Sequence, residues 1–159
     1  ATPISPAELV LGEGTWISVK AGLYACAPLV ITILFFGLAP VPTMAIIPFV
    51  AILTGLGFAF FGQWVSGIVT SIDSFQYVTS ALVTPLFLVS GIFFPLTNLP
   101  SWALAVAQLN PLYHSVQLVR DASFAAMGWA DLGHAAFLAA FAAVMGVLAI
   151  RRLQVRLID

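Results

Sequence analysis

The chain has 159 residues, 62% of them hydrophobic and only 7% charged, with a formal net charge of -1. So little polar surface excludes an ordinary soluble domain, and the lack of any basic excess excludes a nucleic-acid partner. Charge is absent from Ala21 to Ile72, from Ser74 to Val119 and from Leu132 to Ile150. Breaks marked by Pro, Gly and polar residues divide these stretches into pieces about as long as a bilayer is thick. The expected fold is all-α, a polytopic transmembrane helix bundle. Cys26 is the one cysteine, which rules out an internal disulfide or a thiolate metal site.

In chain order, the opening residues carry a helix start. Ser5 can cap, Pro6 takes the first helical position and Glu8 completes an S-x-x-E box; Leu9 and Glu13 follow on the same element. Residues 1–14 are thus expected as a short amphipathic helix. It suits docking to a soluble partner and suits equally a plain lead-in to the first span. Opening on Ala1 without a signal-peptide pattern, the chain is expected to be part of a longer polypeptide.

Four spans are expected, at about 15–38, 44–66, 76–94 and 132–150. The first two are separated by the turn Ala39-Pro-Val-Pro-Thr43, since prolines at this spacing cannot continue a helix. Pro28 and Pro85 should kink the first and third spans, and Asp73 is expected to cap the third. Small residues at helix-contact spacing, Gly55 with Ala59 and Ala135 with Ala139 and Ala143, predict close packing. Arg151, Arg152 and Arg156 form the one basic cluster, so the end that follows the last span is expected in the cytoplasm. Four spans bring the N-terminal end to the same side, where Lys20 can snorkel. Trp16 and Trp64 then fall at the inner interface, and Trp102 and Trp129 at the outer one.

The outer segment, 95–131, is too apolar for an exposed loop. A helix from Trp102 to Leu109, bracketed by Pro100-Ser101 and Asn110-Pro111, is too short to cross and is expected to be re-entrant. A second helix is expected from Leu112 to Met127, ended by Gly128, with His114, Gln117 and Asp121 on one water-facing side. His134 is expected at the interface. No nucleophile joins these groups, neither His-Glu-x-x-His nor Gly-x-Ser-x-Gly is present, and no Gly-rich loop precedes a Lys. Catalytic, cofactor and metal sites are therefore not expected, and the chain is not expected to be an enzyme.

The run PLFLVSGIFFPLTNLPSWALAVAQLNPLYHSVQLVR resembles the signature of ABC-2 type transporter permeases. Ser90, Gly91, Phe94, Pro95, Leu99, Pro100, Asn110, Pro111, Leu112 and Arg120 match it, and the form with His114 is most similar to the lipo-oligosaccharide exporter branch. The opening ATPISPAELVLGE is similar to the family's cytoplasmic coupling helix, with Ser5, Pro6, Glu8, Leu9 and Glu13 within it. The likeness covers essentially the whole chain and corresponds to the C-terminal part of a family member. It implies an exporter permease in the bacterial inner membrane that carries an amphiphilic substrate, a lipo-oligosaccharide, a lipid-linked glycan or a hydrophobic drug. ATP would be bound by a separate cytoplasmic ATPase subunit, and a second permease copy would complete the path. Ser90, Gly91, Phe94, Pro95, Asn110, Pro111, His114 and Arg120 would form an outer gate. A secondary transporter or a membrane anchor subunit is the alternative.

Overall fold

The computed structural model describes residues 4–93 and 100–158. Among them there is no strand. Six α-helices follow one another: α1 (Pro6–Phe36), α2 (Ile47–Ile68), α3 (Ile72–Leu88), α4 (Ser101–Gln108), α5 (Pro111–Ser123) and α6 (Trp129–Ile158). A short 3-10 turn, Pro42–Ile46, leads into α2.

The capping box forms as the residues dictate. The Glu8 N–H donates to Ser5 Oγ at 3.2 Å, and the Ser5 N–H donates to Glu8 Oε2 at 2.8 Å. The helix so started feeds directly into the first span, as expected. Residues 6–14 are the first turns of one 31-residue helix, roughly 46 Å long, because nothing between Glu13 and Trp16 breaks the backbone ladder. It ends at Gly37, which takes the left-handed conformation (φ 68°) while the Leu38 N–H returns to the Thr32 carbonyl at 3.4 Å. A glycine is the residue that adopts this geometry without strain.

α2 lies at the centre, against α1 on one side and α6 on the other. At the Ser5 end of the bundle Val10, Phe60 and Ala149 are buried together. There Gln63 Nε2 donates to the Val10 carbonyl at 3.3 Å, and Arg156 donates to the carbonyls of Ser66 and Val69, the latter at 2.9 Å. At the opposite end Met44, Ile47 and Ala122 are buried with Leu29, Ile33 and Val119 around them. Between the two, Val50, Leu118 and Leu138 join α2, α5 and α6. Both described termini thus lie at one end, and α5 is wedged at the other.

Close approach of α1 to α2 rests on a row of small residues, Gly14, Ser18 and Gly22, all buried. Gly55 faces Ser18 and Ala21, and Ala59 is buried, as their spacing predicts. The expected alanine face of α6 holds only in part. Ala135 is half-buried and packs against Val50, Leu118 and Leu138 as expected, but Ala139 and Ala143 are exposed, while Leu138, Ala142, Gly146 and Ala149 are the buried stripe. In a helix that is apolar all round, composition does not mark the packed side.

Among the described residues three helices are long and apolar enough to cross a membrane: Pro6–Phe36, Pro42–Ile68 and Trp129–Arg156. α3 runs from Ile72 to Leu88, not 76 to 94. Its 17 residues make roughly 26 Å, short of a hydrocarbon core of about 30 Å, and no residue in it is buried. Ser71, not Asp73, caps it, accepting from the Ser74 N–H at 3.1 Å; Asp73 sits within the first turn.

Candidate functional site

Two clusters correspond to the predicted site residues. The larger gathers the ends of α3, α4, α5 and α6 away from Ser5. Pro85 lies in the last turn of α3, and the chain leaves the helix at Val89. Ser90 is fully buried and donates its hydroxyl to the Phe87 carbonyl at 2.6 Å. Gly91 follows with φ 87°, a conformation that costs other residues about 1–2 kcal/mol. Gly91→Ala should therefore lower stability by about that amount, read as an earlier thermal transition of the purified protein; an unchanged transition would mean the turn relaxes. Phe94, Pro95 and Leu99 lie outside the described residues.

Asn110 is the centre of this cluster, only 2% exposed. Its Oδ1 accepts from the Leu112 N–H at 3.0 Å, capping α5, and its Nδ2 donates to the Leu86 carbonyl of α3 at 2.5 Å. A cap alone could be Ser or Asp. Holding a carbonyl at the same time requires a donor beside the acceptor, which a carboxamide has and a carboxylate lacks. Pro111 occupies the first helical position, where its missing N–H has no partner to lose. Two and a half turns further on, Arg120 Nη2 reaches the Gly91 carbonyl at 3.2 Å. Asn110 and Arg120 thus hold the last turn of α3 and the loop after it against α5.

His114 does not face water. It is 8% exposed and stacks on Phe137 of α6 with centroids 3.9 Å apart. Its Nδ1 is 2.7 Å from His134 Nδ1, and its Nε2 is 2.8 Å from the Gln108 carbonyl. Burial pushes the His114 imidazole below its ordinary value; the Gln108 carbonyl opposes this, and the charge of His134 adds to it. His134, expected as a lone interfacial residue, is its direct partner. The predicted shared face of His114, Gln117 and Asp121 is thereby divided: His114 turns to α6, and Gln117 Oε1 accepts from Arg120 at 3.4 Å. Asp121 lies near Asp131. Burial raises the Asp121 carboxyl above its ordinary value, and the Asp131 charge and hydrogen bond add to it, against opposing His134 and Arg120.

α5 ends at Ser123 rather than Met127. Ala125 takes a left-handed φ of 54°, and Gly128 does not end the helix but donates its N–H to Asp131 Oδ2 at 2.6 Å. α4, Ser101–Gln108, matches the predicted short helix to within one residue at each end. Sequence reasoning missed the contribution of α6, His134, Phe137 and Asp131. Their one local signal is polar residues 131 and 134 placed one turn apart at the start of an apolar helix.

The second cluster is at the other end. Glu8, Leu9 and Glu13 point outward from α1, while Val10 and Gly14 point into the bundle. Glu13 Oε2 accepts from Gln63 Nε2 at 3.4 Å. Ser5 and Pro6 start the helix as described above. Among the described residues no cluster of His, Cys, Asp or Glu has the arrangement of a metal site.

Comparison with known proteins bears on both clusters. Residues 1–124, which hold all the predicted site residues, match the family described as ABC-2 type transporter. Nodulation protein J of Sinorhizobium fredii is 31% identical over 158 residues, 99% of this chain and 60% of the relative. Nodulation protein J of Rhizobium leguminosarum bv. viciae is 30% identical over 119 residues, 75% of the chain and 46% of the relative. The protein of the same name from Neorhizobium galegae is 31% identical over 121 residues, covering 76% and 46%. The chain therefore spans about half to three fifths of the length of the curated relatives it matches. No solved structure matches it. A helical, multi-pass membrane protein with this turn, this Asn-Pro helix start and this extent of agreement belongs to the ABC-2 type transporter family.

Proposed function

We propose that the chain is the C-terminal part of the permease subunit of an ATP-driven exporter that moves an amphiphilic substrate out of the cytoplasm or the inner leaflet. A separate cytoplasmic ATPase supplies the energy, and a second permease copy completes the path. On this reading four helices cross the bacterial inner membrane, α3 being the shortest, and Ser5 and Arg156 lie on the cytoplasmic side. The basic residues Arg151, Arg152 and Arg156 favour that orientation. The relatives' name associates them with nodulation, which agrees with a lipo-oligosaccharide as the substrate class.

One observation carries the reading. α1 is a single helix from the exposed cap at Ser5 to Gly37, and its far turns pack through Leu29 and Ile33 on the cluster in which Met44 and Ile47 meet Ala122 of α5. Force applied at Ser5–Glu13 would on this reading reach the signature helix through α2 and the 3-10 turn, elements that α1 and α5 share as neighbours. Beside that contact a groove of about 510 Å³ opens between α1, α2 and α5. The hydroxyls of Thr32, Thr54 and Ser123 on its walls donate to Pro28, Ser115 and Val119. They leave an apolar surface that suits the fatty part of an amphiphile.

The test is co-expression of the full-length permease with its ATPase. Both should elute together from detergent. Changing Glu8 and Glu13 to Lys should leave membrane insertion intact and reduce ATP-dependent export by about tenfold or more. Glu8→Gln preserves the capping box and serves as the control for helix start. Export unchanged by the double reversal would refute a coupling role for this end.

A further inference from the structure

We propose that His114 and His134 form a proton-binding clip that fastens α5 to α6, and that releases α5 from α6 when both rings become charged. The geometry assigns the hydrogens. A carbonyl only accepts, so the ring nitrogen 2.8 Å from the Gln108 oxygen, His114 Nε2, carries a proton. In the neutral ring His114 Nδ1 is then a bare acceptor. The nitrogen facing it at 2.7 Å, His134 Nδ1, must be the donor, which leaves His134 Nε2 without a proton.

From this state the two protonation steps differ. A first proton enters the free lone pair of His134 Nε2, and the Nδ1–H···Nδ1 bond survives, now charge-assisted. A second proton can go only to His114 Nδ1. Two N–H groups and two positive charges would then meet where one hydrogen bond had been, and the rings must part. Because one ring sits on α5 and the other on α6, parting them unfastens these two helices, while the His114 Nε2–H bond to Gln108 of α4 is kept. α5 also holds the turn after α3 through Asn110 and Arg120, so the far end of the bundle loosens as a unit.

The neighbours allow this and oppose it in known directions. From α6 the facing groups are His134 and Asp131, and from α5 they are Tyr113, Arg120 and Asp121; α2, α4 and the 3-10 turn contribute no titratable side chain. Asp131 is 4% exposed, with Oδ1 lacking a partner. The seam resists charge on His114, whose value is lowered from 6.5 by burial. The contribution of this group to stability is therefore present above pH 6.5 and is lost as pH falls through the lowered value. Asp121, raised from 3.8, contributes below that value and loses its contribution as pH rises through the raised one, the opposite direction to His114.

The experiment uses the full-length permease in lipid nanodiscs, labelled with 15N-histidine, with His114→Gln and His134→Gln assigning the signals. At about pH 8 the two rings should be opposite tautomers, His114 protonated at Nε2 and His134 at Nδ1. They should titrate in two steps separated by about one pH unit or more. Amide exchange of α5, corrected for its intrinsic pH dependence, should accelerate about tenfold on passing the second step. His134→Gln keeps a donor for His114 Nδ1 but cannot be charged, so α5 should stay protected down to about pH 5; His134→Asn replaces it if that variant does not insert. Identical tautomers with independent titration would overturn the proposal. So would an α5 exchange rate unchanged through both steps, or acid loosening that persists in His134→Gln.

Discussion

Replacing Asn110 with Ala should loosen two helix ends at once. The cap of α5 is lost, at a cost of about 1 kcal/mol, and the Leu86 carbonyl loses its partner in apolar surroundings, at about 1–3 kcal/mol. Together these make a loss of about 2–4 kcal/mol, among the largest for a single side chain of this size. The carboxamide has two functions, and a second variant separates them. Asn110→Asp keeps the acceptor for the Leu112 N–H but faces the Leu86 carbonyl with another acceptor. It should retain the start of α5 while α3 becomes free to move. Hydrogen exchange resolves the two cases, since only Ala should expose the first amides of α5 and both should expose the last turn of α3. If Asp behaves as the native residue, the contact with Leu86 carries no energy and Asn110 is an ordinary cap.

The second large effect is expected far from any polar group. A Cβ on Gly22 would lie 2.5 Å from Ile52 Cγ1 and 3.0 Å from the Pro48 carbonyl oxygen. The isoleucine can shift, but the Pro48 oxygen is backbone, so a side chain here forces α1 and α2 apart along their shared seam. Gly22→Leu should cost about 3 kcal/mol or more, the upper range for over-packing. Most of the protein should then be lost to aggregation during extraction. Gly12, in the same helix, has nothing within 4 Å of an added Cβ, and Gly12→Ala should be neutral or slightly stabilising through helix propensity. Size-exclusion profiles of the two variants compare the cases directly. A monodisperse Gly22→Leu protein would show that α1 and α2 are not held at this spacing.

These two effects differ in how far the sequence announces them. Asn110 stands before Pro111 in a pattern that marks a helix start from residue types alone, because capping is a local matter of one side chain and the next backbone amides. Its second bond, to α3, spans 24 residues and has no local signal. Gly22 belongs to a row with Gly14 and Ser18 that spacing could have revealed, yet Ala139 and Ala143 in α6 carry the same pattern and face outward. Within lipid the hydrophobic effect does not separate inside from outside, so packing side is decided by fit between neighbours.

The amino-acid order by itself determined the membrane class, the helical content, the capped start at Ser5, the proline turn before α2, and the limits of α4. Each depends on charge, hydropathy or a contact within one or two turns. It also determined the family, through residues whose order along one strand of chain is the signal. Only the tertiary structure decided that α3 ends at Leu88, and that Ser71 rather than Asp73 caps it. The same holds for the burial of His114 against His134, which lies 20 residues away on another helix. Such pairings depend on how helices cross, and the crossing is set by many small apolar contacts, none of which carries a distinguishing letter in the sequence.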